Sequence, residues 1–171
     1  MNQALRNVRL GLCLSLLAVL AGFLLGGLFG GMEEDLKDGL SAAATEVLDE
    51  VYGGDDAAAQ QVVGRAWTYH KRAHMHWGGI GAATLAVSLL LGSCVRRRSA
   101  TFLSAALGLG AVFYPAAWLL AGRAAPALGG TAAGKDRYEF LFVSSAGLLI
   151  LGTALSLVLV ARSLYGREAS G

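Results

Sequence analysis

Of the 171 residues, 55% are hydrophobic and 15% charged, whereas an ordinary soluble domain carries about 25% charged residues. A mean hydropathy of +0.55, with 24 glycines against 2 prolines, points to an all-α integral membrane protein and excludes a soluble globular enzyme. The net charge of +2 comes with no basic, aromatic-interleaved aqueous face, so nucleic acid is not an expected partner.

Crossing a hydrocarbon core of about 30 Å takes roughly 20 helical residues. Four stretches qualify, at about residues 8–30, 78–95, 101–122 and 140–161, within a single integral membrane domain. The first begins after Arg6 and Arg9, and its apolar run at 10–29 exceeds the roughly 7–15 residues of a secretory h-region. It ends in Gly26-Gly27-Leu28-Phe29-Gly30-Gly31 without an Ala-x-Ala pattern, which predicts an uncleaved signal anchor. Cys13 lies too near the start of the run for a lipobox. Gly22, Gly26 and Gly30 make small-xxx-small steps, a spacing that suits close helix packing or dimerisation through this span.

Residues 32–77 form the one sizeable aqueous segment and read as an amphipathic helical hairpin. In its first helix Leu36, Leu40, Ala44, Val47, Leu48 and Val51 recur at three- and four-residue spacings among acidic positions. Gly53-Gly54 stops that helix, and Asp55 or Asp56 is placed to cap the next. The second helix runs without a forced break into the second span, predicting a rod of 39 residues from Ala57 to Val95, about 58 Å long.

All three histidines of the chain lie in seven residues of that rod, His70-Lys71-Arg72-Ala73-His74-Met75-His76, next to Trp77. At 100° per residue, Val63, Ala66, Trp67, His70, His74 and Trp77 fall within about 60° of one line, while Arg65, Tyr69, Arg72 and His76 take the other side. His76 is therefore rotated about 200° from His74 and cannot share an ion with it. His70 and His74, one turn apart, are the workable pair.

Arg96-Arg97-Arg98 fills the short connection to the third span. That span carries Ser104 and Gly108 as another small pair, then Tyr114 and Trp118 on one side with Pro115 between them. The fourth span starts at Asp136, Arg137, Tyr138 and Glu139 and carries Gly152 and Ser156. Together the pattern predicts an antiparallel four-helix transmembrane bundle with the hairpin on the outer face. With four spans both termini share a side, where seven arginines and Glu168 give +6, against −4 on the hairpin side. The arginines packed into a short loop place that side in the cytoplasm of a bacterial inner membrane. Cys13 and Cys94 then lie near the cytoplasmic face as free thiols.

Three functions fit. The first is a non-enzymatic accessory or structural subunit of a membrane assembly such as a respiratory complex, as a homo-oligomer or with other subunits, in which Trp67, Tyr69, Trp77 and Tyr138 form an interfacial belt. In the second, His70, His74 and Glu139 hold a transition metal, with Asp136 or Glu33 as alternatives. A haem would need Met32, Met75 or a second copy for its other axial ligand. In the third, a quinone or proton-handling site is lined by Trp67, His70, His74, Trp77, Tyr114, Trp118 and Glu139. Motifs for hydrolytic, phosphate-binding and zinc-protease chemistry are absent from the sequence.

Overall fold

The computed structural model describes residues 3–165, and these are helical with no strand among them. Arg167 and Glu168, counted above on the terminal side, lie outside the described residues. The elements are α1 (Gln3–Asn7), α2 (Arg9–Thr45), α3 (Leu48–Tyr52), α4 (Asp56–Cys94), α5 (Arg97–Ala124), α6 (Thr131–Arg137) and α7 (Glu139–Tyr165). Helices α2, α4, α5 and α7 are each long and apolar enough to cross a membrane.

Their contacts set their directions. Ser15 meets Thr84 and Gly22 meets Gly78, so α2 and α4 run antiparallel. Gly122 lies on His70 and Trp77 reaches Val112, so α5 reverses again. Gly110 faces Ser145 and Leu149 while Gly152 faces Leu107, which makes α7 antiparallel to α5. Helix α4 is held between α2 and α5, and α7 rests mainly on α5.

The packing is inverted relative to a soluble domain. Small and hydroxylated residues, among them Gly11, Ser15, Ala18 and Gly22 of α2 and Gly81, Thr84 and Ser88 of α4, are buried. Large apolar side chains face outward, with Phe102 72% and Ile150 68% exposed. In water each would forfeit roughly 1.5–3 kcal/mol of burial; against lipid there is no such penalty, and small interior residues let backbones close on one another. Among the described residues, conventional apolar clusters occur towards the two ends. One gathers Val8, Leu91, Ala100, Leu103 and Leu107. The other, within the hairpin, gathers Leu40, Ala44, Val62, Val63, Ala66 and Trp67.

The hairpin differs from the expected pair of simple helices. Helix α2 continues beyond the first apolar stretch, with non-helical angles at Met32 (φ −140°, ψ 29°) directly after Gly30-Gly31. The first hairpin helix then breaks at Glu46-Val47 and resumes as α3. Gly53 closes α3 at a φ of +61°, a left-handed conformation that glycine adopts without a Cβ penalty. Asp55 caps α4 by accepting from the Ala58 amide at 3.0 Å. Tyr52 ties α3 to the α5–α6 connection by donating to the Pro126 carbonyl at 2.6 Å.

Candidate functional site

The histidine segment of α4 precedes the apolar stretch at 78–95, and the structure uses both of its sides. Towards α2, Trp67 and His70 are buried and their rings stack at 5.9 Å. Phe29 of α2 closes on Trp67 at 4.9 Å and on His74 at 5.8 Å. His70 Nδ1 donates to the Ala66 carbonyl of its own helix at 3.0 Å. His74 Nδ1 reaches across to the Gly22 carbonyl at 2.8 Å. A carbonyl only accepts, so both rings carry a proton on Nδ1, and their Nε2 lone pairs are free when the rings are neutral.

Glycine makes the second of these bonds possible. A Cβ at Gly26 would sit 2.6 Å from His74 Cε1, so the imidazole occupies the room a side chain would fill. Gly22, one turn earlier, lets its backbone approach Gly78. Two of the three glycines expected to serve close helix packing or dimerisation thus pack against α4, and of the three only Gly30 has open space beside it.

Towards α5 and α7 the companions of α4 are different. His76 lies 5.6 Å from Tyr114 and 6.2 Å from Trp118. Trp118 in turn packs on Tyr69 at 4.8 Å and on Phe142 at 5.1 Å. Trp77 donates its indole N–H to the Val112 carbonyl at 3.0 Å, pinning α4 to α5. Tyr69, expected on the outward side, is buried, because α5 covers that side.

The residues expected to form one pocket are therefore divided. Trp67 and His74 face α2 and His70 lies between α2 and α5, whereas Tyr114 and Trp118 keep company with His76, and Trp77 is engaged with α5. Glu139 is exposed at the start of α7. Among the described residues no three His, Cys, Asp or Glu side chains are grouped so as to hold a metal ion.

The neighbours that composition and spacing did not single out are Asp35 and Arg123. With Leu36, Gly39, Leu40, Ala43 and His70 they line a cavity of about 280 Å³ between the outer half of α2 and the end of α5. Burial holds the His70 imidazole below its ordinary value of 6.5, with the Arg123 guanidinium adding to the effect and the Ala66 carbonyl opposing it. His76 is likewise lowered, by burial and then by Arg72. At neutral pH His70 is thus a neutral ring offering an Nε2 acceptor, in a cavity it shares with an acid and a cation.

No protein-family model matches the chain, and neither does any curated protein or solved structure.

Proposed function

We propose that the protein is a multi-pass bacterial inner-membrane protein, an antiparallel four-helix transmembrane bundle, acting as a non-enzymatic accessory or structural subunit of a membrane assembly. The observation that carries this reading is where its polar groups go. Several of them fasten one helix to the next: Ser15 to Thr84 at 2.9 Å, His74 to Gly22, Trp77 to Val112, and Ser163 to the Cys94 carbonyl at 2.6 Å. Such bonds suit a packed scaffold, since an unpaired polar group in hydrocarbon costs several kcal/mol. The exposed apolar exterior supports lipid or subunit contact on every side. Arg96, Arg97 and Arg98 at the tight α4–α5 turn support a cytoplasmic location for both termini.

Purification in mild detergent from its native membrane tests the reading. The expected result is a colourless, metal-free protein that leaves the membrane in a stable assembly. A chromophore or stoichiometric metal that disappears in the His70→Ala/His74→Ala variant would overturn it in favour of a metal or haem centre.

A second reading rests on the cavity. His70, Asp35 and Arg123 lining one cavity supply an imidazole, an acid and a cation, groups suited to binding a small hydroxylated or quinone-like ring or relaying a proton. Its partners differ from the expected Glu139 and Tyr114. Quinone in the organic extract of the wild type that is absent from the His70→Ala and Arg123→Gln extracts would support it, and equal quinone in all three would refute it.

A further inference from the structure

Two cations share one pair of aromatic rings at the hairpin end of the helices. Arg72 Cζ lies 5.0 Å from the Trp118 ring and 5.6 Å from Tyr69. Lys135 Nζ, from α6, lies 5.1 Å and 5.5 Å from the same two rings. Both cations are exposed, and among the described residues neither is ion-paired. The Trp118 ring beneath them carries an unmet donor, for its Nε1 is buried without an acceptor.

Two like charges gathered on one platform repel each other. A cation–π contact returns only about 0.5–1 kcal/mol at an exposed site, and among the described residues no carboxylate is ion-paired with either. An anion lying between them would relieve the repulsion and accept charge-assisted hydrogen bonds from both.

The level of the platform indicates what the anion belongs to. Trp118 packs on Phe142, one turn into α7, whose exposed apolar face begins at Phe140. Arg72 lies six residues before Gly78, about 9 Å along α4. The apolar stretch of α5 ends at Gly122, beside His70, so the platform at Arg72 and Trp118 straddles the edge of the apolar layer, within reach of the phosphates of a headgroup layer about 5–8 Å thick. Helices α4 and α7 meet at the terminal end, where Ser163 bonds to Cys94, but here Tyr114 and Trp118 stand between His76 and Phe142. The platform thus tops a seam between two lipid-facing helices.

We propose that Arg72 and Lys135, held on Tyr69 and Trp118, form a binding site for phosphate chemistry carried by the headgroup of an anionic phospholipid. This rests on the membrane-spanning reading above. That premise is checked separately by resistance of the protein to alkaline extraction from membranes; its release would sink the premise without bearing on whether the residues bind phosphate.

The binding test uses the full chain in a neutral detergent and native mass spectrometry with phosphatidylglycerol, phosphatidylcholine or inorganic phosphate. We expect one phosphatidylglycerol to be retained at least tenfold more tightly than phosphatidylcholine, whose choline charge competes with the two side chains. Arg72→Gln/Lys135→Gln should lose roughly tenfold in affinity, while Arg65→Gln/Lys71→Gln, on the same helix but off the platform, should bind as wild type. Equal losses in the two double variants, or none in the first, would overturn the site. Inorganic phosphate bound as tightly through the same residues would overturn the lipid assignment and make the ligand a soluble one.

Discussion

Gly22, Gly26 and Gly30 have identical spacing but three different surroundings, and replacing each with alanine should give three different outcomes. At Gly22 the new Cβ would lie 2.8 Å from the Gly78 nitrogen and 3.2 Å from its Cα, both backbone atoms. Reaching an ordinary carbon contact of about 3.5 Å means parting α2 from α4 by about 0.7 Å. The same movement stretches the His74–Gly22 hydrogen bond, now 2.8 Å, beyond useful length. Overpacking costs about 1–3 kcal/mol and the bond about 1 kcal/mol, so Gly22→Ala should destabilise by about 2–4 kcal/mol. At Gly26 the obstacle is the edge of the His74 ring, which can swing away, so the loss is chiefly the hydrogen bond, about 1–2 kcal/mol. At Gly30 no atom lies within 4 Å, and the gain in helix propensity is up to about 1 kcal/mol. Unfolding by increasing mole fraction of a denaturing detergent, followed by tryptophan fluorescence, measures all three. With His74 already changed to alanine, Gly26→Ala should become nearly silent, a non-additivity diagnostic of direct contact. Equal losses at Gly22 and Gly30, or full additivity of Gly26→Ala with His74→Ala, would refute this packing.

Acidification should destabilise the fold. Burial lowers both His70 and His76 below 6.5, so the unfolded chain binds protons more readily; stability is complete above the ordinary value and falls as pH drops through it towards the lower folded values. The unfolding midpoint should decline between about pH 7.5 and 5 and flatten in His70→Gln/His76→Gln; a constant or rising midpoint would contradict the assignment. Tyr52→Phe deletes the 2.6 Å bond to Pro126 and should cost about 1 kcal/mol, with faster hydrogen exchange confined to residues 48–54. Ser88→Ala should be neutral or stabilising by up to about 1 kcal/mol, because the buried Ser88 hydroxyl has no partner. Ser15→Ala, which breaks the 2.9 Å bond to Thr84, should destabilise by a similar amount in the same unfolding assay.

Much of the helical framework was legible because membrane helices obey a length rule. The expected rod at 57–95 and the observed Asp56–Cys94 are both 39 residues long and differ by one residue at each end, since an aspartate cap and an arginine turn bound the helix. The sequence did not reveal α6 or the interruption at Glu46-Val47, where short helices are fixed by tertiary contacts such as Gly134 on the Ala121 carbonyl. The candidate site was half legible. Apolar periodicity found the stripe of α4 that faces α2, but the side facing α5 is built around Tyr69 and His76, which hydropathy does not mark as interior. A helix held between two others has two interior faces, and glycine contacts such as Gly122 on His70 leave no hydrophobic signal.

The two legs of the hairpin enter the apolar layer in mechanically unlike ways. Helix α4 passes from Asp56 to Cys94 as one helix, while α2 departs from helical geometry at Met32. Along a rod of about 58 Å, each degree of tilt displaces one end relative to the other by about 1 Å. In a bilayer, a change in thickness that tilted α4 would be amplified at the Asp55 cap, and the non-helical angles at Met32 mark where the other leg would bend to follow. Force applied to the hairpin would travel the same path inward, arriving at Gly22, Gly78 and Ser15, where α2 and α4 touch backbone to backbone or hydrogen-bond directly.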